Sequence, residues 1–140
     1  MKRNFKILSI DHIAVATNNF NNLYSLFVDI LGMESSNKET ITSELVDVVK
    51  LYPKNGDTSI EIIEPIENNN TINKFIDKNN QAIHHIALNV DNIENAISFL
   101  KYKNITLVYD NPKIGANNKL ITFIHPKSSP GVLIELCQKQ

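Results

Sequence analysis

Hydrophobic positions along the chain follow two periods in a fixed order, and that order occurs twice. From Ile10 to Ala16 the residues alternate as in a half-buried strand, and His84 to Val90 do the same. Each run is followed by an apolar set spaced i, i+3, i+4, i+7. In the first case the set is Phe20, Leu23, Tyr24 and Phe27; in the second it is Ile93, Ala96, Ile97 and Leu100. That spacing gives a helix one buried stripe. Asn18 and Asp91 stand where a side-chain oxygen is expected to cap the helix, and Gly32 and Asn104 where a left-handed residue is expected to end it. Further strands are predicted over 37–52 and 58–64 in the first half, and over 105–110, 120–125 and 131–137 in the second. Ile72, Phe75 and Ile76 predict a short helix over 71–78.

Placing His12 on His85 aligns Asn18 with Asp91 and the two helical stripes with each other, and sets Leu51-Tyr52-Pro53-Lys54 against Ile124-His125-Pro126-Lys127. One residue of slippage later, Ile60-Glu61-Ile62 meets Ile134-Glu135-Leu136. A repeat of this extent constrains the fold more than any local pattern. It predicts an α+β domain over 1–140, built as two tandem βαβββ modules that form a curved mixed sheet. The first module spans 8–66, a linker with the short helix spans 67–82, and the second module spans 83–140.

Strand phase then locates candidate chemistry. Alternate residues of a strand face opposite ways, so His12, Ala14 and Ala16 share one face, as do His85, Ala87 and Asn89. The other face carries the bulky aliphatics and is expected to pack on the helices. Glu61 and Glu135 each lie between aliphatics that must point away from them. A buried carboxylate without a partner is costly, and here the oddity occurs twice, each time in a half that also supplies an equivalent histidine. Any one of these residues alone is better read as structural: a satisfied strand histidine, or an edge-strand glutamate in water. Together, His12, Glu61, His85 and Glu135 form a sufficient ligand set for one divalent ion, with positions left open for substrate.

The remaining reactive side chains are read as structural. His84 faces away from His85, His125 is matched by Tyr52, and Cys137 has no second cysteine. Asp11 is expected to make local hydrogen bonds, and the asparagine clusters at 68–70 and 79–80 to form exposed turns. A net charge of -1 argues against nucleic acid and against an anionic membrane as partner. One cysteine, no membrane-length apolar run and no signal-peptide pattern at the start of the chain predict a cytoplasmic protein.

Four stretches resemble the methylmalonyl-CoA epimerases of the vicinal oxygen chelate superfamily. They are DHIAVA at 11–16, GDTSIEIIEP at 56–65, INKFIDKNNQAIHHIAL at 72–88 and PKIGANNKLITFIHPKSSPGVLIEL at 112–136. The last is the most specific, through His-Pro-Lys followed by Gly-Val-Leu-Ile-Glu-Leu. The resemblance implies a homodimer that interconverts the epimers of methylmalonyl-CoA with a divalent ion, cobalt first, with zinc, nickel or manganese as alternatives. It places the metal on the same four residues. It also implies a catalytic glutamate on the strand before the loop leading to Glu61. There the chain reads Ser43-Glu44-Leu45-Val46-Asp47-Val48-Val49-Lys50, with Asp47 nearest in register and Glu44 a second candidate. Two further departures are Gln81-Ala82-Ile83, which lacks the usual glycine before the His-His pair, and Pro130-Gly131 in place of paired glycines.

The mechanism implied is removal of the proton α to a thioester, with the enolate stabilised by a metal that the thioester oxygen and the substrate carboxylate chelate. Glu135 serves as ligand and as one base, and Asp47 as the other. Lys119 and Lys127 could reach CoA phosphates but are read as solvating. Two alternatives remain on the same scaffold: a glyoxalase I-like lyase acting on a glutathione hemithioacetal, and a metal-free ligand-binding protein. A ring-cleaving dioxygenase, whose iron takes two His and one carboxylate, would leave Glu61 surplus.

Overall fold

Alternation and helical spacing produce the predicted elements in nearly the predicted order, in a computed structural model that describes residues 1–140. In chain order these are β1 (Ile7–Ala16), α1 (Phe20–Tyr24, continued by a π-helical stretch Ser25–Ile30), β2 (Glu34–Ser35), β3 (Glu39–Ile41), β4 (Val46–Tyr52), β5 (Ser59–Pro65) and α2 (Asn70–Asn79). Then follow β6 (Ala82–Val90), α3 (Ile93–Tyr102), β7 (Lys113–Ile114), β8 (Leu120–Ile124) and β9 (Ile134–Gln138). Residues 12–84 form one compact unit, and residues 1–11 with 85–140 form another. No helix is long and apolar enough to cross a membrane.

In the unit of residues 12–84 the strand order is β2-β4-β5-β1, with β3 also paired to β4. The β1–β5 pair is parallel and the β4–β5 pair antiparallel, so the sheet is mixed. The stripe of α1 packs as its spacing predicts: Phe20, Leu23, Tyr24 and Phe27 cover Val49, Leu51 and Ile62. Gly32 ends the helical segment at φ +79°, a backbone state open to glycine because it lacks a Cβ.

The other unit repeats the plan with order β6-β9-β8-β7. Here β6–β9 is parallel and β8–β9 antiparallel. Ile93, Ala96 and Ile97 of α3 pack with Val90, Leu107 and Leu136. Asn104 ends α3 at φ +59°.

Three local expectations are corrected. The cap of α3 sits one residue later than predicted, and Asn18 is not the cap of α1. Asn92 accepts from Asn95 N at 2.9 Å, while Asp91 accepts from Lys6 N at 2.8 Å. Before α1, Thr17 Oγ1 accepts from Asn19 N. The strand expected over 105–110 is reduced to one bridge, Leu107 to Ile124. The strand expected over 37–52 is interrupted at 42–45 by a turn in which Leu45 takes φ +51°.

Candidate active site

The register of the two parallel pairs puts each histidine beside its glutamate. On β1 and β5, Ala14 lies opposite Glu61; on β6 and β9, the equivalent Ala87 lies opposite Glu135. A histidine two residues before each alanine therefore shares a sheet face with the carboxylate. The alanines are fully buried, and Ala87 packs with Ile121, Phe123 and Cys137. His12 Nε2 is 3.1 Å from Glu61 Oε2, and His85 Nε2 is 3.3 Å from Glu135 Oε2. All four residues are buried. Within each unit, the structure brings together the imidazole and the carboxylate predicted for that half.

The strand next to each glutamate differs between the units. Phe123 of β8 lies opposite Glu135 and meets the His85 ring edge-on, with centroids 5.5 Å apart. Lys50 of β4 lies opposite Glu61, with Nζ 3.5 Å from Oε1. Lys50 is buried, although no local pattern in the sequence singles it out. The repeat carried the signal, because the offset that superposes the histidines also superposes Lys50 on Phe123.

Asp47 does not join this face. Alternation along β4 sets Val46, Val48 and Lys50 on the side of Glu61, and Asp47, Val49 and Leu51 on the side that packs on α1. Asp47 lies opposite Glu64 and accepts from Thr40 Oγ1 at 2.6 Å. Glu44 lies in the turn before β4, where its backbone carbonyl accepts from Asn69. Asp47 therefore lies on the side of β4 away from Lys50, while Glu44 precedes the strand and is not set by its alternation.

Other side chains fall as follows. His84 packs edge-on against Phe75 of α2. His125 is exposed and accepts from Lys127 N. Cys137 is buried and directs its thiol toward Leu88 O. Lys127 is exposed, but Lys119 is not the solvated residue expected: it is buried and ion-paired to Asp11.

The donors suit a divalent cation. Imidazole nitrogen with carboxylate oxygen is the chemistry preferred by borderline ions such as cobalt and zinc. Glu61 Oε1 is buried and accepts no hydrogen bond, which is costly for a carboxylate oxygen and is the kind of deficit a bound cation removes.

Comparison with known proteins follows the same direction. Residues 11–123 match the family described as the Glyoxalase/Bleomycin resistance protein/Dioxygenase superfamily. The mitochondrial methylmalonyl-CoA epimerase of Mus musculus is 36% identical over 96% of this chain and 75% of its own length. The crystal structure of methylmalonyl-CoA epimerase from Mycobacterium tuberculosis superposes with a TM-score of 0.91 at 28% identity, covering 96% of this chain and 89% of that one. A Streptomyces coelicolor methylmalonyl-CoA epimerase variant, in complex with 2-nitronate-propionyl-CoA, gives a TM-score of 0.87 at 26% identity and covers 96% of each chain. The α+β fold is common to all of them.

Proposed function

Because this chain belongs to the glyoxalase/bleomycin resistance protein/dioxygenase superfamily, we propose that it is an epimerase interconverting the C2 epimers of methylmalonyl-CoA, with one divalent ion held by His12, Glu61, His85 and Glu135. The observation that carries the reading is the repeated register: a buried histidine and a buried glutamate on one sheet face, in each unit, with alanine opposite the glutamate. Relatives named as epimerases of this substrate supply the reaction class.

A cobalt ion, or zinc, nickel or manganese in its place, would supply Lewis acidity toward the charge that develops on the thioester oxygen when the α-proton leaves. The chain's own residues supply a base on one face of C2, Glu135, and an acid that returns the proton to the opposite face, a role that falls to Glu44 in the turn before β4. Glu135 takes the proton from C2 through a carboxylate oxygen, a transfer that needs reach and orientation more than exceptional basicity. Phe123 limits the swing of the His85 ring and holds its Nε2 beside Glu135. Ala14 and Ala87 are fully buried opposite the two glutamates, where a larger side chain would crowd the carboxylates. The exposed Ile7, Leu8 and Ile10 on β1 support a homodimer, since covering them would remove apolar surface from water.

Deuterium wash-in at C2 of methylmalonyl-CoA tests the proposal. The metal-loaded protein should exchange this proton, and Glu135→Gln should slow exchange by about 100-fold or more. Absence of exchange with every divalent ion, together with turnover of the glutathione hemithioacetal of methylglyoxal, would assign the site to a glyoxalase-like lyase instead.

A further inference from the structure

The two units match in strand order, in register and in the His/Glu pair, but not at the residue facing the glutamate from the adjacent antiparallel strand. In one unit that residue is Phe123, an apolar wall against His85. In the other it is Lys50, whose side chain is 7% exposed and whose strand neighbours on the same face are Val46 and Val48. A lysine buried between valines loses most of the hydration of its ammonium, which is unfavourable unless an anion compensates.

Glu61 is the anion in range, but it is shared. Its Oε2 is turned to His12 at 3.1 Å, and its Oε1 lies 3.5 Å from Lys50 Nζ, too long for a good charge-assisted hydrogen bond. If Glu61 gives its charge to a divalent ion, Lys50 faces like charge across the strand pair and requires a second anion. The substrate class proposed above carries one, on the carbon that loses its proton.

We propose that Lys50 is a specificity residue that binds the free carboxylate of the acyl group, so that the site selects 2-carboxyacyl thioesters over simple acyl thioesters. This rests on the epimerase reading but goes beyond it, since it assigns the choice of acyl group to one side chain outside the metal-ligand set. Lysine supplies up to three donors and a point charge at this position, and the valines beside it exclude competing water.

The test compares equilibrium binding of methylmalonyl-CoA and propionyl-CoA to the metal-loaded protein and to its Lys50→Met, Lys50→Gln and Lys50→Arg variants. The wild type should prefer the carboxylated ligand. Lys50→Met should lower that preference by about 30-fold or more, chiefly by weakening methylmalonyl-CoA. Lys50→Arg should keep much of it, and metal content should stay at the wild-type level in both. Lys50→Gln is read in the same way if Lys50→Met does not fold. An unchanged ratio in either neutral variant would overturn the proposal, and a loss of metal with the ratio preserved would show that Lys50 serves Glu61 alone. A wild type with no preference between the ligands would instead count against the epimerase reading itself.

Discussion

Lys119 Nζ donates to both carboxylate oxygens of Asp11, at 2.7 and 2.8 Å, and each side chain is only 11% exposed. The bond joins the start of β8 to the residue immediately before His12. A two-pronged contact with this little solvent is worth far more than a surface pair, and removing one partner takes the bidentate counter-charge from the other. Lys119→Met should therefore cost about 3 kcal/mol of stability in denaturant unfolding. The double variant Asp11→Asn with Lys119→Met should lose less than the sum of the single changes, because the two groups share one contact. Additive losses would mean that the two groups act independently.

Asn69 is a second buried polar residue whose reach exceeds its neighbourhood. Its Oδ1 accepts from Ile72 N at the start of α2, while Nδ2 donates to the carbonyls of Glu44 and Leu45 at 2.9 Å each. The side chain thus caps one element and holds the left-handed Leu45 turn that starts β4. Asn69→Ala should cost about 2–3 kcal/mol, the cap plus the two carbonyl partners. Asn69→Asp keeps the cap acceptor and loses the donors, so thermal unfolding should place it between the two.

These residues also show where sequence reading stops. The repeat made the strand phase of β1, β5, β6 and β9 legible, and with it the pairing of His12 with Glu61 and of His85 with Glu135, because period-two alternation and a fixed offset are local properties. The break at 42–45 was not legible. Thr42-Ser43-Glu44-Leu45 has neither glycine nor proline, and the turn is held by Asn69 from a distant part of the chain. Asp47 is nearest in register to the family motif, but the break shifts the start of β4 and its phase turns Asp47 to the side of α1. The run 105–110 failed for a related reason: its apolar residues serve the core through Leu107, while Thr106 N turns to Ser128 Oγ instead of a strand neighbour.

Metal should bind with the folding energy of the protein coupled to it. Cobalt at about a thousand times its dissociation constant should stabilise the protein by about 4 kcal/mol, and chelation should reverse the rise in melting temperature. Because His12 and His85 hold equivalent positions, His12→Ala and His85→Ala should each weaken metal affinity by more than about tenfold, to comparable extents. Calorimetric titration of the two variants checks this. Loss confined to one of them would break the equivalence on which the four-ligand reading stands.

Asp47 gives the sharpest separation between motif and geometry. Its carboxylate belongs to the face of β4 that packs on α1, bonded to Thr40 and lying opposite Glu64, whereas a base acting on the substrate must share the face of Glu61. Moving it there would require a one-residue slip of β4, which would also turn Val49 and Leu51 out of their packing with Phe20 and Phe27. Asp47→Ala should therefore leave C2 proton exchange within about twofold of wild type, and cost at most about 1 kcal/mol of stability through the lost Thr40 bond. Glu135→Gln, assayed beside it, should slow exchange by about 100-fold or more. A comparable loss in Asp47→Ala, with the fold and metal content intact, would restore Asp47 as a base and require β4 to shift when substrate binds.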